Sequence, residues 1–276
     1  MRNALTLIRP SAWLKRAPHY AAPVETEILY GSLLQKLGED GIWYHVRLCS
    51  RLTGATNPVH GGYEGYVLAS ACGVGYEAPS HVISALSAPI FRRADIKSSL
   101  RYRLSMGSQL KVLAVKGEFL QINPQGFVHA AHVKRVTDLP SGEDYVSIAQ
   151  AHMGRPYIWG GVGTDGLDCS GLVQSCLYMT GHEAPRDTRL QSQYLGRPID
   201  ASKTLNTQKG RKTPESLKRG DFIFWPGHVG IMTDQKNMIH ANAYHMAVAT
   251  EPLAHAIKRI GDVSEKRRLD ENLIRQ

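Results

Sequence analysis

The spacing of apolar residues changes character near residue 140. Upstream, short apolar stretches stand between glycines and acidic residues. Ile28-Leu29-Tyr30-Gly31, Trp43-Tyr44-His45-Val46-Arg47-Leu48 and Gly65-Tyr66-Val67-Leu68 read as strands on that pattern. A second set follows in Ala88-Pro89-Ile90-Phe91, Gln109 to Val115, Phe119-Leu120-Gln121-Ile122 and Gly126-Phe127-Val128. Both sets run through an opening strand, a long strand, a turn, another strand and a Gly-aromatic-Val step. Two copies of one small β-barrel, residues 1–80 and 81–140, explain this better than one large sheet. Ala71 to Ser87 is the expected joint.

Downstream the period becomes helical. Val146, Ala149 and His152/Met153 mark a helix from Asp144 to Met153, stopped by Gly154-Arg155-Pro156. Tyr157 to Gly161 reads as a short strand or turn. Leu172, Val173, Cys176 and Leu177 then recur at helical spacing, with Gly181 as the C-terminal stop. Asp168 is placed to cap that helix, which puts Cys169 in its first turn. Phe222–Trp225, Val229–Met232 and Asn237–His240 read as consecutive strands. A helix followed by an antiparallel sheet makes residues 141–276 an α+β domain. Residues 200–219 read as a polar surface loop, and the last dozen as a charged strand or tail.

Composition narrows the function classes. The chain has 276 residues, 42% of them hydrophobic, with no apolar run long enough to span a bilayer. The apolar stretch at the N-terminus is broken by Arg9 and Pro10, short of a signal-peptide core, so a cytoplasmic protein without membrane attachment is expected. Four cysteines (Cys49, Cys72, Cys169, Cys176) form no CxxC pair, which argues against zinc or a disulfide framework and agrees with a reducing compartment. Twelve histidines include no HExxH pair, so no metal and no organic cofactor is expected. The net charge of +9 is spread along the chain, with loose clusters at Lys209–Lys212 and Lys266–Arg268. Without interleaved aromatics, this reads as a solvated basic surface and no nucleic-acid partner is expected.

The candidate chemistry centres on one thiol and two imidazoles. A cysteine in the first turn of a helix meets unpaired N–H groups and the positive end of the helix dipole, which favour its thiolate. An imidazole takes the proton and later returns it to the leaving amine. A third group holds the other nitrogen of that imidazole in the right tautomer. Cys169, His228 and His240 suit these roles in that order. If the two histidine strands form a hairpin, they share a face only when the loop has an odd number of residues. A three-residue loop, Gln235-Lys236-Asn237, sets Met232 opposite His240 and points both imidazoles the same way. Cys176 reads as core packing, and His182, His245 and His255 as surface or loop residues.

Six blocks in order then carry a resemblance over residues 141–262. They are Tyr157-x-Trp159-Gly160-Gly161, Asp168-Cys169-Ser170-Gly171, Pro185-Arg186-Asp187-Thr188, Gly220-Asp221-Phe222-Ile223-Phe224, Gly227-His228-Val229-Gly230-Ile231 and Ile239-His240-Ala241. The region resembles the NlpC-type peptidoglycan cysteine peptidases, which have a papain-like fold. The resemblance implies Cys169 as nucleophile, His228 as base and His240 as its orienting residue, with the Tyr157 hydroxyl and backbone N–H groups around the oxyanion. Two SH3-like barrels ahead of such a domain resemble the γ-D-glutamyl-L-diamino acid dipeptidyl-peptidases of cell-wall-peptide recycling. Those enzymes act on small murein peptides with a free N-terminal L-Ala, and a monomer is expected here. The resemblance implies Glu27 and Tyr63 as barrel partners of the substrate ammonium, with Asp168, Ser170, Asp187 and Thr188 as peptidase-side partners. Thr188 stands where serine is frequent, Tyr66 where tryptophan is commoner, and Cys49 to Gly62 is an expanded segment. The rival readings are a secreted endopeptidase on intact peptidoglycan, a catalytically silent wall-fragment binder, and an acyltransferase or amidase on the same fold.

Overall fold

The computed structural model describes residues 3–50, 62–123, 126–139, 144–163, 165–199 and 216–269. Residues 51–61 of the expanded segment, the Lys209–Lys212 cluster, most of the 200–219 loop and the end of the tail lie outside the described residues.

Alternation builds the first β-unit. In Ala4–Leu7, Leu5 and Leu7 point inward while their neighbours are half-buried, the period of a strand with one covered face. Seven strands hydrogen-bond in the order Val24–Leu29, Ser11–Lys15, Glu64–Leu68, Trp43–Leu48, Leu33–Asp40, Ala4–Leu7 and Cys72–Val74. Leu5, Leu7, Leu14, Ile28, Leu34, Val46 and Val67 fill the space that this curled sheet encloses. The second unit divides its strands between a five-stranded and a three-stranded sheet. Its core is Ile83, Ala88, Ile90, Leu104, Leu110, Leu120, Ile122 and Val128. The expected long strand from Gln109 to Val115 is two strands, Gln109–Leu110 and Ala114–Lys116, one in each sheet.

The two units repeat one meander. Gly31 donates its N–H to Leu7 O as Gly107 donates to Ile83 O, and Ala22 donates to His19 O as Ser98 donates to Asp95 O. Both glycines take positive φ, +80° and +84°, a turn that a side chain would strain. Hydrogen bonding among the described residues closes neither unit into a barrel. The joint is also shorter than expected. Cys72–Val74 belongs to the first sheet and His81–Ile83 to the second unit, leaving 75–80 between them.

The third unit carries six antiparallel strands in the order Arg197–Pro198, Glu265–Arg268, Phe222–Trp225, His228–Met232, Asn237–Asn242 and Ala247–Pro252. Helix α1 is Tyr145–Ala151 and helix α2 is Cys169–Met179. Leu172, Val173, Cys176 and Leu177 of α2 pack on Phe222, Phe224, Val229, Ile231, Ile239 and Ala241 of the sheet. Two further helices, α3 (Thr188–Tyr194) and α4 (Leu253–Ile260), flank it. The Lys266–Arg268 cluster is built into an inner strand rather than displayed as a patch. Arg268 donates to the buried Asp221 carboxylate, and Arg267 to the carbonyls of Leu195 and Gly196. No helix of the described residues is long and apolar enough to cross a membrane.

Candidate active site

Helix α2 begins at the thiol. The Asp168 carboxylate accepts the Gly171 N–H at 2.6 Å, capping the helix and leaving Cys169 as its first residue. Sγ is buried 3.8 Å from Thr188 Oγ1 and 3.9 Å from the Gly227 carbonyl. Burial pushes the thiol pKa up and nearby Asp168 adds to this, against hydrogen bonds from Thr188 and the Val229 N–H and the charge of Arg186. Burial likewise drives the His228 imidazole down to about 4, helped by Arg259. The resting site therefore holds a neutral thiol and a neutral imidazole at neutral pH, the starting state for general-base attack.

The histidine hairpin departs from the expected register while keeping the expected face. Met232 pairs with Met238, not His240, and the Thr233 N–H reaches the Asn237 carbonyl. The enclosed loop, 233–237, still has an odd length, so both imidazoles project from one face. Nε2 of His228 lies 2.8 Å from Nδ1 of His240. A Cβ on Gly230 would come within 1.9 Å of Met238 Cε, so a side chain there would displace Met238 of the neighbouring strand. With Nε2 engaged, Nδ1 is the nitrogen that His228 has free for a thiol. The Tyr157 hydroxyl titrates high, at about 12, through burial and its proximity to Cys169 and Asp168, so it stays a donor at neutral pH.

The polar residues beside the thiol are held by Arg186, which sequence reasoning did not single out. Its Nη2 meets Asp168 Oδ2 at 2.6 Å and its Nη1 meets Oδ1 at 2.9 Å. Nη1 also donates to Ser170 Oγ, and Nε to Thr26 Oγ1 of the first β-unit. The Gly160 N–H donates to the same Asp168 carboxylate. Asp168 and Ser170 thus sit inside a satisfied buried network. Asp187 caps α3 by accepting the Arg189 N–H, and its Oδ2 lies 3.5 Å from the Tyr63 hydroxyl. Tyr63 is held at about 12 by burial first, with Asp187, Asp168 and Glu25 adding to the rise.

Glu27 lines the same small cavity as Tyr63 and Arg186. Its buried carboxylate accepts the Val162 N–H at 3.0 Å, with Ser11 and the Gly163 N–H as further partners, and burial raises its pKa. The space shared by Thr26, Glu27, Tyr63, Val162, Gln174 and Arg186 is about 50 Å³, enough for water and too small for a dipeptide. Glu64 points away, paired with Arg47. The carboxylate of the Val24–Leu29 strand whose charge reaches Tyr63 is Glu25, itself 2.5 Å from Arg16.

Behind the imidazoles stand Glu251 and Arg259, also missed from the sequence. Glu251 Oε1 is 2.9 Å from His240 Nε2 and is salt-bridged to Arg259. His240, His245 and Glu251 place one ligand-type atom each within 4.8 Å of one another. The guanidinium already on Glu251 opposes a metal cation there. Glu251 lies in the strand after His240, two positions beyond Ala249, the cross-strand partner of His240, and Arg259 lies on α4.

A thiol at the head of a helix, packed on an antiparallel sheet that presents a hydrogen-bonded imidazole pair, defines a papain-like cysteine hydrolase. Residues 154–260 match the NlpC/P60 family, so the chain carries an NlpC/P60 domain and is a cysteine peptidase. It is 26% identical over 262 residues to Dipeptidyl-peptidase 6 of Lysinibacillus sphaericus, covering 87% of this chain and 88% of that one. It is 24% identical over 236 residues to a γ-D-glutamyl-L-lysine dipeptidyl-peptidase of Bacillus subtilis, covering 79% and 72%. The crystal structure of an NlpC/P60 family protein from Bacillus cereus superposes with a TM-score of 0.75 at 20% identity, over 96% of this chain and 99% of that one. At that identity, the match establishes the fold.

Proposed function

We propose that this peptidase hydrolyses the bond between γ-D-Glu and the diamino acid in small murein peptides that carry a free N-terminal L-Ala, releasing L-Ala-D-Glu. The observation that carries this reading is the closure of the site by the first β-unit. The Tyr63 hydroxyl lies 3.5 Å from Asp187, and the next residue, Thr188, touches the thiol. A wall this near the nucleophile favours a short acyl segment over a continuing glycan-linked chain. The names of the two dipeptidyl-peptidase relatives support the same class of substrate.

In this reading Cys169 Sγ attacks the γ-carbonyl carbon as His228 Nδ1 takes the thiol proton. The Tyr157 hydroxyl and the backbone N–H of Cys169 stabilise the oxyanion. Collapse breaks the C–N bond, and the imidazolium returns its proton to the leaving amine. Water, deprotonated by the same imidazole, then cleaves the thioester. Asp168 and Arg186 cancel each other's charge, so Asp187 and Glu25 supply the negative field around Tyr63 that favours an ammonium. Ser170 and Thr188 line the same wall, and Glu27 acts from behind it as a strut between units. The two β-units are read as SH3-like modules and the enzyme as a monomer. All four cysteines are free, which supports a reducing, cytoplasmic setting.

The test is incubation with L-Ala-γ-D-Glu-meso-diaminopimelate and its L-lysine counterpart, each beside its N-acetylated form, read by mass spectrometry. Release of L-Ala-D-Glu from the free forms only, abolished in Cys169→Ala, is expected. Cleavage of acetylated and free forms at equal rates overturns the dipeptidyl reading in favour of a wall endopeptidase.

A further inference from the structure

A hydrogen bond between two neutral imidazoles has a direction, because one ring gives an N–H and the other a lone pair. Nδ1 of His228 is free to act as a base only when the proton of that ring sits on Nε2 and is donated to Nδ1 of His240. His240 must then keep its own proton on Nε2. That nitrogen is buried, and among the described residues no well-aligned hydrogen bond satisfies it. The polar group that faces it is Glu251, whose Oε1 stands 2.9 Å away on a line bent from the ring N–H. A lone pair at that distance from a carboxylate is repelled and an N–H is attracted, so the contact selects the tautomer even without ideal alignment.

We propose that Glu251, clamped by Arg259, is the positioning residue that fixes the proton on Nε2 of His240 and so makes Nδ1 of His228 the base. The strand register places it there: His240 pairs with Ala249, and Glu251 lies two residues further along the same face. Arg259 reaches the carboxylate from α4. Burial opposes the charge on Glu251, but the hydrogen bond from Arg259 and the charge of that guanidinium lower its pKa and keep it an acceptor. The groups facing His240 are thus His228, Glu251, Arg259 and His245, whose ring centroid is 6.2 Å away. The carboxylate orients a relay whose far end is the thiol, with no covalent step of its own.

The inference rests on the thiol-peptidase reading for its kinetic consequence, and its first test does not need activity. In the wild-type protein, the imidazole ¹⁵N shifts should show both His228 and His240 protonated on Nε2 and bare on Nδ1 at neutral pH. A proton on Nδ1 of His228 overturns the proposal. In Glu251→Gln, the amide can turn an N–H toward His240 and reverse the relay. kcat should fall by about tenfold to a hundredfold, less than for a group bonded directly to the base, with KM within about twofold. Iodoacetamide labelling of Cys169 should lose its neutral-pH rate in parallel and recover only as pH approaches the thiol's own pKa. A folded Glu251→Gln with unchanged kcat and unchanged labelling profile sinks the idea. Glu251→Ala should be partly rescued by formate and not by formamide; equal rescue by both also overturns it. If Glu251→Gln does not fold, the wild-type tautomers decide. Absence of peptide hydrolysis with the expected tautomers and labelling counts against the substrate assignment and leaves Glu251 in place.

Discussion

The two β-units share one meander and meet the peptidase domain in opposite ways. The first presents polar groups: Thr26 holds Arg186, Glu27 holds the Val162 N–H, and Tyr63 stands over Asp187. The second presents apolar ones. Val82, Met106 and Leu139 pack on Tyr178 and Met179 at the far end of α2, with Gln109 to the Tyr178 hydroxyl as a polar contact. The thiol sits at the head of α2, and the second unit braces its tail. The two units thus divide into one that shapes the cleft and one that supports the helix. The side chains at the interface decide which is which, since the backbones follow the same turns.

The largest expected effect comes from cutting the polar link. Arg186→Met leaves the Asp168 carboxylate buried without its partner and breaks the bond to Thr26. Losing one member of a buried pair costs about 3–5 kcal/mol. Denaturant unfolding should show that loss together with inactivation, because Asp168 also caps the helix that carries Cys169. A cost under about 1 kcal/mol means that the Gly160 and Gly171 N–H groups suffice to hold the carboxylate. On the other side, Met179→Ala opens a cavity under the second unit, and such truncations cost about 2–4 kcal/mol. The same unfolding measurement should show it, with kcat/KM on the free tripeptide nearly unchanged. A large kinetic effect of Met179→Ala contradicts the division between shaping and bracing.

How much of this was legible in the chain follows from the range of each signal. Local signals carried well: Asp168 caps α2, Cys169 opens it, and Leu172, Val173, Cys176 and Leu177 face the sheet. Short apolar runs between turn residues located the strands around Trp43, Phe119 and Phe222. The Ala4–Leu7 strand was missed because it is only four residues long and stands just before Arg9-Pro10, and its pairing partners, Leu33–Gln35 and Cys72–Val74, are distant in sequence. The hairpin register slipped by one pair because Asp234 looks like a strand end, whereas its carboxylate accepts the N–H groups of Lys236 and Asn237 and belongs to the turn. Non-local electrostatics was invisible. Nothing in Pro185-Arg186-Asp187-Thr188 says that the arginine, and not the aspartate, reaches Asp168. Similarly, Glu251 gains meaning only through its register with His240.

The smaller predictions separate the two carboxylates of the Val24–Leu29 strand. Tyr63→Phe removes a hydroxyl from beside Asp187, and a hydrogen bond to a charged group contributes about 1.5–3 kcal/mol. KM for the free tripeptide should rise by about tenfold or more, with discrimination against the acetylated form reduced. Glu25→Gln should act in the same direction, more weakly, because its charge reaches Tyr63 through space and is shared with Arg16. Glu27→Gln should leave that discrimination intact and alter stability instead. The folded-state pKa of Glu27 is raised by burial, so ionisation opposes folding. The wild-type contribution is fully present below the unfolded carboxylate pKa and is lost as pH rises through the raised value. A neutral glutamine keeps an oxygen for the Val162 N–H and has no such dependence. Its stability relative to wild type should therefore improve from pH 4 to pH 7, by no more than about 1 kcal/mol for a group that also loses hydrogen bonds to its charged form. Paired unfolding curves at the two pH values measure this. If Glu27→Gln instead abolishes the preference for a free N-terminus with stability unchanged, the ammonium is held at Glu27, and the wall formed by Tyr63 and Glu25 is only a boundary of the cleft.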